Sequence, residues 1–285
     1  MRRITVGMTA YNSEKFVEDS IKSLLAQTTP DINIVISDDA SVDGTEDACR
    51  RAMATDPRVH YIRQERNLGP RANFEFVFRQ CDTEYFMWAS HDDVWSPTFV
   101  EDCMAELDAN PDCGFVITRW IVESRTIPFL RRYFLPDMDF VTDRDSIRRM
   151  MSFTSLPFSS FKDNLTYGIW RQQALSRVIE GTRAIRYFSI GGAANEYALL
   201  LYRGCHVKSA YLRKRYKLAP PGSVAEPLFR ILSRLRRLGR KSTTPYPRYT
   251  PEDHINDLVA VFKMAGLDTE NIERAVKLNR LHLRT

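Results

Sequence analysis

Residues 32–45 read Ile-Asn-Ile-Val-Ile-Ser-Asp-Asp-Ala-Ser-Val-Asp-Gly-Thr, a short apolar run that ends in a cluster of carboxylates. A second apolar run, residues 85–88, is followed by His91-Asp92-Asp93-Val94-Trp95. Carboxylates placed just past neighbouring strands collect at one edge of a sheet, where their repulsion is tolerated only if a cation or a polar ligand lies among them. The two clusters therefore predict a sheet edge that holds a metal and a nucleotide.

Strand and helix patterns alternate through the first 118 residues. The predicted strands are 4–8, 32–36, 59–62, 85–88 and 115–118, and the predicted helices are 16–25, 48–54, 71–80 and 97–108. Such alternation requires crossover connections, which are right-handed and build a parallel sheet with ligand sites at the carboxyl ends of the strands. The pattern predicts an α/β fold with both acidic clusters at that edge.

After Trp120 the pattern loosens and becomes aromatic, basic and proline-punctuated. The remaining predicted elements are a helix at 143–151, a strand at 165–170, a buried helix at 195–202, a helix that Thr250 caps and Gly266 ends, and a last helix from 269. Residues 120–165 are interpreted as an insertion or an acceptor-side lobe, and the last two helices form a tail.

Composition sets the broad class of the protein. With 285 residues and 44% hydrophobic content, the chain is long enough for one large globular domain and a smaller appendage. The five cysteines are scattered without a C-x-x-C pair, which argues against a disulfide framework or a zinc site and for a reducing compartment. The apolar start is too short for a signal peptide, and no uncharged run approaches membrane-spanning length.

Charge is divided unevenly along the chain, whose formal net charge is +5. Residues 1–110 carry 11 Lys and Arg against 20 Asp and Glu, a balance of −9, whereas residues 111–285 carry 30 against 16, a balance of +14. The first part could hold a cation, and the second could face phosphates or an anionic membrane. Basic side chains that simply solvate the C-terminal helices would give the same balance.

Residues 228–241 combine an apolar stripe with six basic residues and no acidic one. A basic amphipathic helix of this kind can lie in an anionic membrane interface. The same pattern also fits a helix packed on the globular domain with an arginine-rich face in solvent, and both interpretations stay open.

Several motifs in order give the chain a specific resemblance. They are Thr9-Ala10-Tyr11-Asn12, Ser23-Leu24-Leu25-Ala26-Gln27-Thr28, Asp38-Asp39-Ala40-Ser41-Val42-Asp43-Gly44-Thr45, Asn67-Leu68-Gly69, and the ten residues from Trp88 to Pro97. In order and spacing these motifs resemble the inverting glycosyltransferase family 2, which has the GT-A fold. The resemblance is firm over residues 2–118, weaker through 167–171 and Asn195-Glu196, and fades after about residue 220.

The resemblance implies a fold, a division of the chain and an activity. The expected GT-A fold has a mostly parallel central sheet flanked by helices, with residues 1–118 as the nucleotide-sugar half, 119–220 as the acceptor half and 221–285 as a helical C-terminal extension. The expected activity is metal-dependent inverting transfer from a UDP- or dTDP-sugar to a hydroxyl of a glycan or lipid-linked acceptor, in polysaccharide or glycolipid biosynthesis.

The resemblance also implies a metal site on the second acidic cluster. Mn²⁺ or Mg²⁺ bridging the donor's phosphates would stabilise the charge that grows on the leaving group. By resemblance Asp92 is the leading ligand, with Asp93 beside it, and His91 would contact the ribose or, as a neutral imidazole, the cation. Ser90 occupies a position that is commonly acidic in the family, so this cluster has fewer carboxylates than the fuller pattern.

The nucleotide is expected nearer the first cluster. By resemblance Thr9, Tyr11 and Asp39 would flank the base, Asp39 accepting from the imide N–H of uracil or thymine, and Arg71 would lie over the base or near the phosphates. Asp43 fits a turn and helix cap equally well. An ordinary buried aromatic remains an alternative for Tyr11.

Inverting transfer needs a base to take the proton of the attacking hydroxyl. Glu196, in Gly191-Gly192-Ala193-Ala194-Asn195-Glu196-Tyr197, is the candidate by resemblance, and Asp163 is second. A helix-start glutamate that only interacts with the helix dipole would look the same.

Two other classes remain open. One is a nucleotidyltransferase on a related fold, although no Gly-rich, Lys- or Arg-bearing phosphate loop follows the first strand. The other is a non-catalytic nucleotide-sugar or nucleic-acid binder, although residues 228–241 contain a single aromatic and no nucleic acid is expected as a partner. The expected location is the cytoplasm, with peripheral contact at the inner face of the membrane if residues 228–241 bind lipid.

Overall fold

A computed structural model of the chain describes residues 2–124, 133–134, 138–156, 162–183, 193–216 and 251–283. The strands are β1 Ile4–Ala10, β2 Ile32–Asp38, β3 Val59–Arg63, β4 Tyr85–Ser90, β5 Val94–Trp95, β6 Cys113–Ser124, β7 Tyr133–Phe134, β8 Ile169–Arg171 and β9 Arg203–Tyr216. The helices are α1 Val17–Leu25, α2 Thr45–Thr55, α3 Pro70–Arg79, α4 Phe99–Ala109, α5 Ser146–Thr154, α6 Gln172–Gly181, α7 Ala193–Leu201, α8 Pro251–Met264 and α9 Thr269–Leu283. Two 3-10 helices, Asp139–Thr142 and Lys162–Tyr167, complete the described elements.

One mixed sheet runs through the described part of the chain, in the strand order β3-β2-β1-β4-β8-β6-β9-β5, with β7 beside β6. Strands β3, β2, β1 and β4 are mutually parallel, as the crossover argument predicts. Strand β8 runs antiparallel to both β4 and β6, and β5 runs antiparallel to β9. The α/β class with flanking helices is confirmed, and the parallel part is the half that carries both acidic clusters.

Strand β1 lies at the centre of the parallel part and is buried on both faces. Its side chains from Ile4 to Met8 are almost all inaccessible to solvent, because helices cover the sheet on either side. Gly7 lets β1 lie close to its neighbours, since a Cβ on residue 7 would lie 2.8 Å from the Phe86 ring and 2.9 Å from a Val77 methyl group on α3. Helix α3 is therefore held tightly against the strands whose ends form the site.

Aromatic packing fixes β4 between the two halves of the sheet. The rings of Phe86 and Trp88 meet edge to face with centroids 5.0 Å apart, and Phe78 of α3 packs on Phe86 at the same separation. On the other side Phe115 of β6 stacks on Trp170 of β8 at 4.6 Å. Such pairs add about 0.5–1.5 kcal/mol each beyond the burial of their area.

The structure departs from the sequence-based expectation at residues 165–170 and at β9. The predicted strand 165–170 is wrong for its first half, which belongs to the 3-10 helix Lys162–Tyr167, and only Ile169–Arg171 pairs as β8. Gly168 separates the two because a Cβ there would overlap the carbonyl oxygen of Val116. Strand β9, Arg203–Tyr216, was not predicted at all.

The C-terminal helices pack on the acceptor-side half of the molecule. Helix α8 lies against α7, and α9 lies against α8 and α5. Residues Ile255, Leu258 and Phe262 are buried as the helical pattern predicts, and Gly266, at φ +75°, ends α8. Thr250 and the basic segment 228–241 lie outside the described residues.

Among the helices that the structure describes, none is both long enough and apolar enough to cross a membrane. The five cysteines are free thiols, as their scatter predicts. The division of the chain at residues 118 and 220 stays a prediction.

Candidate functional site

The carboxyl ends of β1, β2 and β4 bring the two acidic clusters to one edge of the sheet. In the register of the sheet Thr9 lies opposite Ser37 of β2 on one side and opposite Ser90 of β4 on the other. Ala10 lies opposite Asp38. The first residues of both clusters are thus next to the end of β1, which is the arrangement that the sequence predicts.

Asp38 is fully buried and builds the loop that follows β2. Its Oδ1 accepts from the backbone N–H of Ser41 at 2.9 Å and from the Ser41 hydroxyl at 2.5 Å, and its Oδ2 accepts from the Tyr61 hydroxyl at 2.7 Å. Burial, together with this hydrogen bond, holds the pKa of Tyr61 far above its ordinary value, so the phenol stays a donor. The Asp38 carboxylate therefore stabilises the loop after β2 and ties it to β3.

Asp39 is also buried, and it ties the same loop to the start of α3. Its two oxygens accept from the backbone N–H groups of Leu68 at 2.6 Å and of Gly69 at 3.0 Å, while its own N–H donates to the Ala10 carbonyl oxygen at 2.9 Å. Each carboxylate oxygen has a second lone pair, so these bonds leave Asp39 able to accept from a ligand. Sequence reasoning missed its role as the anchor of Leu68 and Gly69.

Two non-glycine residues in the left-handed region shape the mouth of this edge. Asn12 has φ +49° and Ala40 has φ +58°, and strained positions of this kind cluster at functional sites. The Asn12 N–H donates to the Ser41 hydroxyl at 2.9 Å, and its Oδ1 accepts from the Val42 N–H at 3.0 Å. The loops after β1 and β2 are therefore locked together.

The side chain of Tyr11 projects from the first of these loops and is 48% exposed. The alternative of an ordinary buried aromatic is therefore wrong. An exposed ring held by a locked loop is available to a planar ligand, because aromatic faces stack at little conformational cost once the backbone is fixed.

Asp43 accepts hydrogen bonds that stabilise the turn before α2. Its Oδ1 accepts from the Thr45 N–H at 3.1 Å and the Thr45 hydroxyl at 2.5 Å, and its Oδ2 accepts from the Glu14 N–H at 3.2 Å. Burial acts to raise the pKa of Asp43, but the hydrogen bonds from Thr45 and Glu14 outweigh it and hold that pKa below its ordinary value. These contacts form a turn just before α2, whose N-cap residue is Gly44 and has no side-chain cap.

Arg71 lies in the first turn of α3, two residues after the Gly69 N–H that Asp39 binds. Its side chain is about half exposed, and its Nε lies 3.3 Å from a carboxylate oxygen of Glu75, one turn further along the helix. Exposed i,i+4 pairs contribute only about 0.3–0.5 kcal/mol, so this contact would yield readily to an anionic ligand.

The second cluster follows β4 as a tight turn with one accessible carboxylate. The Ser90 hydroxyl donates to Asp92 Oδ1 at 2.5 Å, and Asp92 is half-buried, whereas Asp93 is only 2% exposed. His91 Nδ1 lies 3.3 Å from the Thr9 carbonyl oxygen, and a hydrogen bond between these two atoms requires the proton on Nδ1. Asp92 therefore faces the edge while Asp93 is directed into the protein.

The chemistry of this turn fits a hard divalent cation that is shared with a ligand. Among the described residues, no group of three or more His, Cys, Asp or Glu side chains is arranged to hold a metal by itself. Asp92 Oδ2 accepts no hydrogen bond from the described residues, so one hard oxygen is available. Mg²⁺ and ions like it are commonly held by one or two carboxylates together with substrate phosphates, which matches this donor set.

Glu196 lies in the first turn of α7 and is 1% exposed. The start of α7 adjoins β4, because Ala194 and Asn195 share a small cavity of about 20 Å³ with Trp88 and Trp170. Asp163 falls in the 3-10 helix Lys162–Tyr167. Glycines 191 and 192, which precede α7, lie outside the described residues.

A cavity of about 370 Å³ lies at the opposite edge of the sheet, beside Glu84, Asp112 and Arg171. Arg171 has an architectural task there, since it donates to the carbonyl oxygens of Leu107 at 2.6 Å and Cys113 at 2.9 Å. Neither acidic cluster contributes to this cavity, so its size does not identify the functional site.

The fold and the site define a class of nucleotide-sugar transferases, and the family comparison agrees. Residues 5–179, more than half of the chain, match the family model "Glycosyl transferase family 2". The chain belongs to glycosyl transferase family 2, and the predicted family and enzyme class are confirmed.

Relatives with curated names match part of the chain. The dTDP-rhamnosyl transferase RfbG of Shigella flexneri is 32% identical over 111 residues, 36% of this chain and 38% of RfbG. The chondroitin synthase of Escherichia coli is 30% identical over 118 residues, 41% of this chain and 17% of the synthase. The chain thus matches less than half the length of these relatives.

Solved structures agree in fold at low sequence identity. S. aureus TarS 1-349, in complex with UDP-GlcNAc, superposes with a TM-score of 0.58 at 16% identity, over 95% of this chain and 69% of that chain. The mannosyltransferase PcManGT of Pyrobaculum calidifontis, in complex with GDP-Man and Mn²⁺, gives a TM-score of 0.50 at 16% identity, over 97% of this chain and 73% of that one. These similarities confirm the predicted GT-A fold.

Proposed function

We propose that this protein is a metal-dependent inverting glycosyltransferase that moves a sugar from a UDP- or dTDP-sugar to a hydroxyl group of a glycan or lipid-linked acceptor. The observation that carries the proposal is the sheet edge where Thr9, Asp39 and Asp92 come together in a chain of glycosyl transferase family 2. That edge combines a hydrogen-bond acceptor for a base, an exposed aromatic ring and one available carboxylate.

A pyrimidine nucleotide is the proposed donor. Asp39 would accept from the imide N–H of uracil or thymine, and the exposed Tyr11 ring would lie against the base. Arg71 would pair with the phosphates in place of Glu75, and His91 Nε2 would accept from a ribose hydroxyl. The names of two similar proteins support this choice, since TarS is described with UDP-GlcNAc and RfbG as a dTDP-rhamnosyl transferase.

Asp92 is the proposed protein ligand of a divalent cation, Mn²⁺ or Mg²⁺, and Asp93 would support the turn from inside the protein. When bound, the cation supplies charge neutralisation at the diphosphate leaving group. The Ser90 hydroxyl holds Asp92 Oδ1 at 2.5 Å, so the carboxylate would present Oδ2 to the edge. A neighbour in fold, PcManGT, is described with Mn²⁺.

Glu196 is the proposed base that takes the proton of the acceptor hydroxyl as that oxygen attacks the anomeric carbon, and Asp163 is the second candidate. Attack on the face opposite the diphosphate inverts the anomeric configuration, and a carboxylate on the acceptor side is the group that this step requires. The burial of Glu196 at the start of α7 and its position beside β4 support the assignment.

The acceptor is proposed from the chemistry of the chain's second part. Residues 111–285 carry a charge balance of +14, and residues 228–241 have the pattern of a basic amphipathic helix, which suits an acceptor at an anionic membrane surface on the cytoplasmic side. Co-sedimentation with vesicles tests this part of the proposal. The protein should pellet with vesicles that contain anionic lipid. A protein that stays in the supernatant with anionic as well as neutral vesicles would contradict the membrane contact.

A thermal-shift screen tests the function as a whole. UDP-, dTDP- and GDP-sugars are compared with and without Mn²⁺, and the pyrimidine donors should raise the melting temperature most, with a larger shift when Mn²⁺ is present. Stabilisation by GDP-sugars alone would contradict the base assignment to Asp39. Stabilisation by none of them would contradict the enzyme proposal and favour a different ligand for this edge.

A further inference from the structure

Helix α1 presents an unusual polar face to the interior. Ser20 and Ser23 lie three residues apart on α1, which places them on one side of the helix, and Gln27 follows two residues after its last residue, Leu25. Ser20 is fully buried and Gln27 is 6% exposed. The neighbouring side chains of Val17, Ile21 and Leu24 pack in the apolar core. The polar side chains therefore lie in a buried region where each of them needs a hydrogen-bond partner.

This face binds the backbone of the acidic turn and of the segment after it. Ser20 Oγ lies 2.8 Å from the His91 carbonyl oxygen and 2.7 Å from that of Asp93. Ser23 Oγ accepts from the Trp95 N–H at 3.4 Å. Each contact goes to the main chain, so it fixes the path of the turn whatever the turn's side chains bind.

Gln27 continues the same row of contacts towards α4. Its Nε2 donates to the Ser96 carbonyl oxygen at 2.9 Å, and its Oε1 accepts from the Val100 N–H at 2.9 Å. One step further, the Thr28 N–H donates to the Pro97 carbonyl oxygen at 2.9 Å. Residues 20–28 thereby hold residues 91–100 along their length.

We propose that Ser20 is a positioning residue for Asp92: its one hydroxyl proton is shared by the carbonyl oxygens of His91 and Asp93, the residues on either side of Asp92, and so aims the one accessible carboxylate of the turn at a divalent cation on the donor diphosphate. This inference rests on the proposed function. It assigns to α1, a helix that contributes no ligand, control over the affinity for the cation.

The two carbonyl oxygens that Ser20 meets explain why a hydroxyl is needed there. Ser20 is fully buried, and a buried carbonyl group that loses its donor is costly. Removing the hydroxyl would let the turn rotate to find another donor, and Asp92 would move with it. Groups that orient a metal ligand from behind commonly change metal affinity by about 10–100-fold when they are removed.

The test is a Mn²⁺ titration of UDP binding by isothermal calorimetry with the whole chain. For Ser20→Ala, the Mn²⁺ concentration that gives half of the cation-dependent UDP binding should rise about tenfold, whereas UDP binding without Mn²⁺ should stay unchanged. Ser20→Cys keeps the volume with a weaker donor and should give a smaller rise, about threefold, in a variant that is more certain to fold. Thr5→Val is the matched control, because Thr5 is a fully buried hydroxyl at the other end of β1, 2.9 Å from the Thr83 hydroxyl.

A double-mutant cycle separates positioning from general loosening. In an Asp92→Asn background, which lacks cation-dependent binding, Ser20→Ala should leave the remaining UDP binding unchanged, whereas general loosening of the sheet edge would weaken it. Equal Mn²⁺ titrations for the native chain and Ser20→Ala would overturn the inference while leaving the proposed function intact. A native chain that binds UDP with no effect of Mn²⁺ would instead overturn both the inference and the metal part of the proposed function.

Discussion

The two acidic clusters lie at the same edge of the sheet but use their carboxylates differently. In the first, Asp38, Asp39 and Asp43 all accept hydrogen bonds that build loops. In the second, Asp93 is buried and Asp92 has one oxygen on the Ser90 hydroxyl and the other available. The contacts of the first cluster stabilise loops, and in the proposed function the second cluster provides the carboxylate that binds the cation.

The difference shows that carboxylate identity alone does not predict a metal site. A carboxylate whose oxygens are committed to backbone N–H groups stabilises the loop, and removing it should cost free energy of unfolding. A carboxylate that is held on one oxygen and accessible on the other should cost activity and little stability. Substitutions at four carboxylates measure this contrast.

The largest effect is expected at Glu196, outside both clusters. Glu196→Gln keeps the shape but cannot take a proton, so turnover should fall about 10³-fold or more, about 4 kcal/mol, while binding of the donor stays near that of the native chain. Steady-state rates and calorimetric titration with UDP measure the two quantities. Near-normal turnover would mean that Glu196 only interacts with the helix dipole, and Asp163→Asn would be the next variant to measure.

The next effect is expected at Asp92. Asp92→Asn should lower kcat/KM about 10²-fold, about 2.7 kcal/mol, and should remove the dependence of UDP binding on Mn²⁺. Its melting temperature should match the native value, because Asp92 is half-buried and its hydrogen bond goes to Ser90 alone among the described residues. Ser90→Ala serves as the control that removes this bond and keeps the carboxylate; a larger loss for Ser90→Ala than for Asp92→Asn would contradict the assignment.

The sequence predicts which residues lie at the sheet edge, because these residues follow the ends of predicted strands. Thr9, Asp39 and Asp92 follow short apolar runs with helices after them, and the parallel sheet brings such positions together. Other contacts join segments that are distant in the sequence. Asp39 accepts from the N–H groups of Leu68 and Gly69, 29 and 30 residues away, and Ser20 donates to the Asp93 carbonyl oxygen, 73 residues away. No local pattern encodes which polar group a buried carboxylate or hydroxyl will meet.

Strand β9 was missed for a different reason. Its buried residues Cys205 and Val207 alternate with period two, but the next buried pair, Ala210 and Leu212, is out of phase with them. The register against β6 shifts at the same place, so that Thr118 faces Val207 and Arg119 faces Tyr211. An irregularity in the pairing interrupts the alternation that identifies a strand, and the basic residues nearby strengthen the impression of a loop.

A third effect is expected in stability at Asp38. Asp38→Asn should lower the free energy of unfolding by about 2 kcal/mol, because the amide cannot accept from both Ser41 and Tyr61 and leaves a buried donor facing the Tyr61 hydroxyl. Urea unfolding followed by tryptophan fluorescence measures the change, and Asp82→Asn, in the exposed loop before β4, is the control. Asp38→Asn with native stability and lost metal dependence would reverse the roles of the two clusters.

The smallest effect is expected at Asp43 and depends on pH. Asp43→Ala should lower the free energy of unfolding by about 1 kcal/mol at pH 7, because the Thr45 and Glu14 N–H groups lose their acceptor. Since the folded-state pKa of Asp43 is depressed, its contribution is present above the unfolded-state value of about 3.9 and is lost as the pH falls through the folded-state pKa. The difference between the native chain and Asp43→Ala, measured by urea unfolding, should therefore be constant from pH 7 to about pH 5 and shrink below about pH 4. A difference that grows on acidification would show that the neighbours of Asp43 destabilise its carboxylate. Asp43 would then resemble Asp92, whose carboxylate is proposed to bind a ligand, rather than Asp38, whose carboxylate stabilises a loop.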